Sequence, residues 1–281
     1  MTTTPILILG GAGKTGRHVA ERLRARGVPI RLASRSSEQR FDWYDESTWP
    51  ATEAGIDTAY LAPPYDPPGL ARAGRFVRKA AAGGLRRVVL LSGRGVGSPG
   101  REFEVYHAQL ELENAVKDSG AGWTIVRPSW FMQNFSTDFM HAQVLAGELR
   151  LPAGDGAEPW IDTEDVADVM VAALLDERHT GETYSLSGPR ALTLAQVTAE
   201  LSAVTGRPIG YAALEPEEFV IEMVGQGASQ VEAEAVRDLL AVIRNHRSGH
   251  LSDGVRQVLG REPRDFTDWA RTTARTGVWT S

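Results

Sequence analysis

Residues 6–9, Ile-Leu-Ile-Leu, run straight into Gly10-Gly11-Ala12-Gly13-Lys14-Thr15-Gly16, and a helical pattern with Val19, Ala20 and Leu23 on one face follows. An apolar strand, a glycine-rich turn and a helix in that order constrain this chain more than any other stretch. One glycine permits the tight turn, one lets backbone approach a pyrophosphate, and Gly16 lets the helix lie close to the sheet. The helix start then offers free N–H groups and the positive end of its dipole to an anion. The motif reads as GxxGxxG from Gly10 or GxGxxG from Gly11, and either spacing predicts a dinucleotide site. Gly13-Lys14-Thr15 also resembles the tail of a nucleoside-triphosphate loop. That loop needs a glycine at position 8, where Ile8 stands inside the strand, so the reading is set aside.

The end of the second strand predicts which dinucleotide. An NAD site places an Asp or Glu about 20 residues beyond the glycines, for the ribose 2′-hydroxyl. Here the stretch is Ala33-Ser34-Arg35-Ser36-Ser37, with no carboxylate before Glu38. Arg35 brings a guanidinium to the position of a 2′-phosphate, Ser36 adds a hydroxyl, and Lys14 is a second cation for it. The expected cofactor is NADPH.

The rest of the first half alternates buried-type strands (Ile30–Ala33, a short one at Arg40–Trp43, Thr58–Leu61, Arg87–Leu91, Trp123–Val126) with helical patterns at Leu70–Ala82 and Phe103–Asp118. That alternation predicts an α/β fold, a Rossmann doubly wound parallel sheet. The second half is more helical (Asp165–Leu175, Leu194–Thr205, Pro216–Val224, Gln230–Arg244, Asp265–Arg275), with one strand at Glu182–Leu186. The expected organisation is a NAD(P)-binding core over 1–150, a strand and helix from about 160–187 returning to it, and a smaller, mostly helical substrate lobe over 188–281. The 281 residues include no cysteine, which excludes disulfides and thiol nucleophiles. A net charge of -6 without a basic tract argues against nucleic acid, and no apolar run is long enough for a membrane span. His246 and His250 have a metal spacing, but Ser248-Gly249 interrupts it, and no metal is expected. With no targeting segment visible, a cytoplasmic protein acting on a small molecule is expected. The paired C-terminal helices read either as a homodimer surface or as a lid.

Several stretches together resemble the NmrA-like branch of the atypical short-chain dehydrogenase/reductases. They are Leu9-GGAGKTGRHV, Phe41-Asp42-Trp43, Tyr60-Leu-Ala-Pro-Pro64, Arg87-VVLLSG, Trp123-TIVRP, Trp130-FMQN, Trp160-IDTEDVA and Leu259-GREP. The resemblance implies a Rossmann core that binds NADP(H). It implies Gly10, Gly13, Lys14, Thr15 and Gly16 at the pyrophosphate, Arg35 and Ser36 at the 2′-phosphate, and Asp42 and Trp43 beside the adenine. Leu61, Ala62, Pro63, Ser92 and Pro128 would lie along the nicotinamide half. Trp130, Phe131, Asn134 and Trp160 would line the substrate. The activity implied is reduction of a quinone, imine, enone or carbonyl of a small apolar molecule, with a place in secondary metabolism. A redox sensor that binds the dinucleotide without turnover, and a non-redox cyclase or isomerase, are the alternatives.

Standard members of the superfamily carry Tyr-x-x-x-Lys after the fifth strand. Here Tyr106 has Leu110 four residues on. A tyrosine without that lysine is a poor base at neutral pH. The candidate catalytic residues are therefore Tyr106, His107, whose ordinary pKa lies nearest neutrality, and Ser92. Glu111 and Glu113 read as a solvated helix face.

Overall fold

The computed structural model describes residues 4–96 and 103–280. In chain order its elements are β1 (Ile6–Leu9), α1 (Gly16–Ala25), β2 (Ile30–Ser34), β3 (Gln39–Arg40), α2 (Trp49–Glu53), β4 (Thr58–Leu61), α3 (Pro67–Ala82), β5 (Arg87–Leu91), α4 (Glu104–Lys117) and β6 (Gly122–Pro128). There follow α5 (Asp138–Ala146), β7 (Glu148–Leu151), β8 (Ala157–Glu158), α6 (Thr163–Leu175), β9 (Glu182–Leu186), β10 (Leu192–Thr193) and α7 (Leu194–Thr205). The chain ends with β11 (Gly210–Ala213), α8 (Pro216–Gly225), α9 (Gln230–Arg244), α10 (Gly254–Leu259) and α11 (Phe266–Ala274).

Two compact units divide the chain. The first takes residues 1–128, 163–186 and 253–261, and the second takes 129–162, 187–252 and 262–281. The expected first boundary at 150 thus differs from the observed one at Pro128. The physical reason is packing: Met140, Val144, Leu149 and Leu151 sit in the same core as Leu194, Leu240 and Phe266 of the second unit.

In the first unit seven strands form one sheet in the order β3-β2-β1-β4-β5-β6-β9, all parallel. Side chains alternate between its faces, as pleating requires. Leu7, Leu9, Ala59, Leu61, Val88 and Leu90 join one core with Leu70, Phe76 and Val77 of α3 and with Leu112 and Val116 of α4. Tyr60, between Ala59 and Leu61, faces the other way, and its hydroxyl meets that of Thr15 ahead of α1 at 2.7 Å. Helices α1 and α6 pack together, as do α3 and α4. A doubly wound sheet is the result. The chain runs outward from β1 to β2 and β3, then returns to β4 on the opposite side of β1, so the strand order reverses there. Ligands of such sheets bind outside the carboxyl ends of the strands at that reversal.

The third strand is shorter and earlier than Arg40–Trp43. Asp42 turns the chain, with its carboxylate accepting the Tyr44 N–H and its carbonyl accepting Trp49 Nε1, so β3 ends at Arg40. In the second unit two two-stranded sheets, β8 with antiparallel β10 and β7 with parallel β11, accompany five helices around one apolar core. Among the described residues no helix is long and apolar enough to cross a membrane.

Candidate functional site

The glycine turn lies at the carboxyl end of β1, beside the end of β4. The Ala62 N–H donates to Leu9 O at 3.2 Å, and the Gly13 N–H donates to Gly10 O at 2.9 Å. Gly10 takes a φ of 82°, the left-handed region that glycine enters without strain. A Cβ on Gly10 would stand 3.0 Å from Ala62 Cβ, and one on Gly16 would stand 2.2 Å from Gly10 O. The turn therefore closes only with glycine at these two positions. Thr15 precedes α1, but its side chain does not cap the helix, and no acidic residue occupies the first turn. Its hydroxyl is instead paired with the buried Tyr60, whose own ionisation burial pushes far up. Gly11, Ala12, Gly13 and Lys14 keep surface exposure around this helix start. An exposed glycine cradle at an uncapped helix N-terminus fits a pyrophosphate.

At the end of β2 a run of hydroxyls fastens the next turn. Ser34 Oγ accepts from the N–H groups of Ser36 and Ser37, at 3.3 and 3.1 Å. Ser37 Oγ accepts the Ser34 N–H and donates to Gln39 O, both at 2.7 Å. Arg35 and Ser36 sit exposed on this hydrogen-bonded turn. Among the described residues Arg35 makes no hydrogen bond or ion pair, so its guanidinium is available. Trp43 is half-buried and meets Phe41 edge-on at 4.8 Å and Phe76 at 5.7 Å. Leu61 corrects the expectation: its side chain is wholly buried in the core, so only its backbone can reach a ligand. Ala62 and Pro63, just beyond, are half-exposed.

Ser92 follows β5 directly, and its N–H donates to Val126 O at 2.8 Å. Its hydroxyl donates to Glu113 Oε1 at 2.7 Å. Arg127 grips the same carboxylate twice, through Nε to Oε1 at 2.8 Å and through Nη2 to Oε2. Glu113 is 0% exposed, which overturns its reading as a solvated residue. Three polar residues of α4 are buried, Tyr106 at 5%, Gln109 at 4% and Glu113, beside the apolar Leu112 and Val116. His107 and Glu111 project to solvent. The structure thus separates the two helix candidates: Tyr106 lies inside, and His107 lies on the outer face. Pro128 closes β6 and is buried, and its carbonyl accepts the Arg94 N–H at 3.1 Å.

The four substrate candidates belong to the second unit. Trp160 is 1% exposed, stacks edge-on against Phe135 at 4.8 Å, and donates from Nε1 to Leu192 O at 3.3 Å. It is a core residue, a correction to its expected place against the substrate. Trp130, 6.1 Å from Trp160, Phe131 and Asn134 remain half-exposed. Sequence reasoning missed Glu113, Arg127 and Gln109. The available signal was the Tyr106, Gln109, Glu113 spacing, which sets three polar side chains on one helix face.

A family model described as NAD(P)H-binding matches residues 51–177. The chain is 31% identical to the NAD(P)H azoreductase of Xenophilus azovorans, over 96% of this chain and 98% of that protein. Among solved structures it resembles the NADPH-dependent quinone oxidoreductase QOR2 of Escherichia coli, complexed with NADPH. The TM-score is 0.82 at 21% identity, covering 95% of this chain and 99% of that one. It also resembles Nmra, a negative transcriptional regulator, with a TM-score of 0.72 at 15% identity over 99% of this chain and 100% of that one.

Proposed function

The chain belongs to the NmrA-like family of atypical short-chain dehydrogenase/reductases and is an NAD(P)H-dependent reductase, and from that premise we propose that it uses NADPH to reduce a conjugated acceptor in a small apolar molecule. The acceptor class is a quinone, azo, imine, enone or carbonyl group. The observation that carries the cofactor choice is the exposed Arg35 guanidinium on its hydroxyl-braced turn, where a carboxylate would stand in an NAD site. Gly10, Gly13 and Gly16, with Lys14 and Thr15 beside them, hold the pyrophosphate. Arg35 and Ser36 hold the 2′-phosphate, and Trp43 with Asp42 flanks the adenine.

The bound cofactor supplies a hydride, and the protein supplies position. Ala62, Pro63 and Ser92 hold the nicotinamide half at the carboxyl ends of β4 and β5. Trp130, Phe131 and Asn134, which follow β6 in the chain, contact the substrate, and the flat rings of Trp130 and Phe131 suit a planar one. Tyr106 lacks the lysine that would lower its pKa, and His107 is on the outer face of α4, so the product takes its proton from water.

Parallel titration with NADPH and NADH tests this reading. Loss of the Arg35–phosphate contact costs about 1.5–3 kcal/mol, so NADH should bind roughly ten- to hundredfold more weakly. Arg35→Ala should remove that preference. Equal affinities in the unaltered protein would overturn the NADPH assignment. An absence of NADPH oxidation across a panel of quinones, azo dyes, imines and enones would overturn the substrate class.

A further inference from the structure

The hydrogen-bond chain Arg127–Glu113–Ser92 has a chemical polarity. Glu113 is fully buried on α4, and Arg127 Nε and Nη2 hold both of its oxygens. Toward Ser92 this carboxylate, with both oxygens already receiving guanidinium N–H groups, acts as an acceptor. The one proton of Ser92 is therefore committed to Glu113 Oε1, at 2.7 Å. What Ser92 can still offer is its lone pairs. The Ser92 N–H is held by Val126 O at 2.8 Å, which fixes the residue that carries them.

Packing alone does not require this arrangement. Replacing a buried ion pair by apolar residues of similar volume is often neutral or stabilising, so three polar groups here add little as mere filling. Nor does proton donation suit it. To protonate a substrate, Ser92 would have to give up its charge-assisted hydrogen bond to Glu113.

We propose that Glu113, oriented by Arg127, is a positioning residue that makes Ser92 a hydrogen-bond acceptor for the carboxamide N–H of the nicotinamide. Ser92 then sets the turn of the carboxamide and is not the proton donor. This inference rests on the reading that the dinucleotide lies along the carboxyl ends of β1, β4 and β5.

The test compares two ligands that differ only at the carboxamide. Reduced 3-acetylpyridine adenine dinucleotide phosphate keeps the pyrophosphate and 2′-phosphate but carries a methyl in place of the amide NH2. The unaltered protein should bind NADPH roughly three- to tenfold more tightly than this analogue, the worth of one hydrogen bond. Ser92→Ala should bring the ratio to about one, and Ser92→Thr, which keeps the hydroxyl, should retain it. Glu113→Gln should shrink the ratio, because its amide can donate to Ser92 Oγ and free the serine proton to serve the acetyl oxygen. If Glu113→Gln does not fold, the Ser92 pair still decides. An unchanged ratio in Ser92→Ala, with NADPH still bound, would overturn the inference alone. Failure of the unaltered protein to bind either dinucleotide would overturn the cofactor reading, and the inference with it.

Discussion

Gly16 shows how one missing carbon shapes a ligand cradle. Its Cβ would stand 2.2 Å from Gly10 O, a backbone atom that cannot rotate away. Gly16→Ala should cost about 1–3 kcal/mol in a denaturant melt, as overpacking does, and should weaken NADPH binding in the same preparation. The glycine turn was legible because local chemistry determines it: a chain that turns this tightly at a positive φ needs glycine. Leu61 and Trp160 were not, because whether an apolar side chain faces a ligand or a core depends on neighbours far away in the chain. Glu113 was hidden for the same reason. Its partners stand 21 and 14 residues away, and Glu111 beside it is an ordinary solvated glutamate.

At the scale of elements, α4 carries two chemistries on opposite sides. Replacing Glu113 with leucine leaves Arg127 without its carboxylate and should cost about 3–5 kcal/mol by denaturant unfolding. The same change at the exposed Glu111 should stay within about 0.5 kcal/mol. A general acid typically contributes about 10²–10⁴-fold, so a change in kcat of no more than about twofold in His107→Gln would mark that histidine as surface. Helices α7 and α9 run over the residues expected of them, 194–205 and 230–244. Both begin with a reciprocal cap, Thr193 with Gln196 and Ser229 with Glu232, and such caps are written locally in sequence. Helix α5 went unread because its apolar residues Phe139, Met140, Val144 and Leu145 do not gather on one face. Strands β7, β8, β10 and β11 have two to four residues each, too few for an alternating pattern to show.

At the scale of the whole molecule each unit has its own core, and the second is anchored by Trp160 and by an ionic cluster. Trp160→Ala should cost about 3–5 kcal/mol in a denaturant melt. Arg190 ties Asp265 to Glu200, with hydrogen bonds of 2.6 and 2.7 Å. The guanidinium holds the Asp265 carboxyl down at about 2. Its unfolded value is about 3.9, so the pairing stabilises the fold above about pH 4 and is lost as the pH falls toward 2. Asp265→Asn keeps a capping oxygen for α11 but removes the charge. It should lower stability by about 1 kcal/mol at pH 7, allowing for solvent screening, and by much less at pH 2. Each unit is assembled from three separate stretches of chain, and β9, the last strand of the large sheet, arrives from residues 182–186. The first unit is consequently not a cassette. A truncation after residue 150 would strip β6 of its outer neighbour and leave a bare sheet edge open to self-association. Exchanging the second unit for that of a relative requires splices after Pro128, Asp162, Leu186, Ser252 and Arg261 together. A chimera with one crossover would inherit half of each fold.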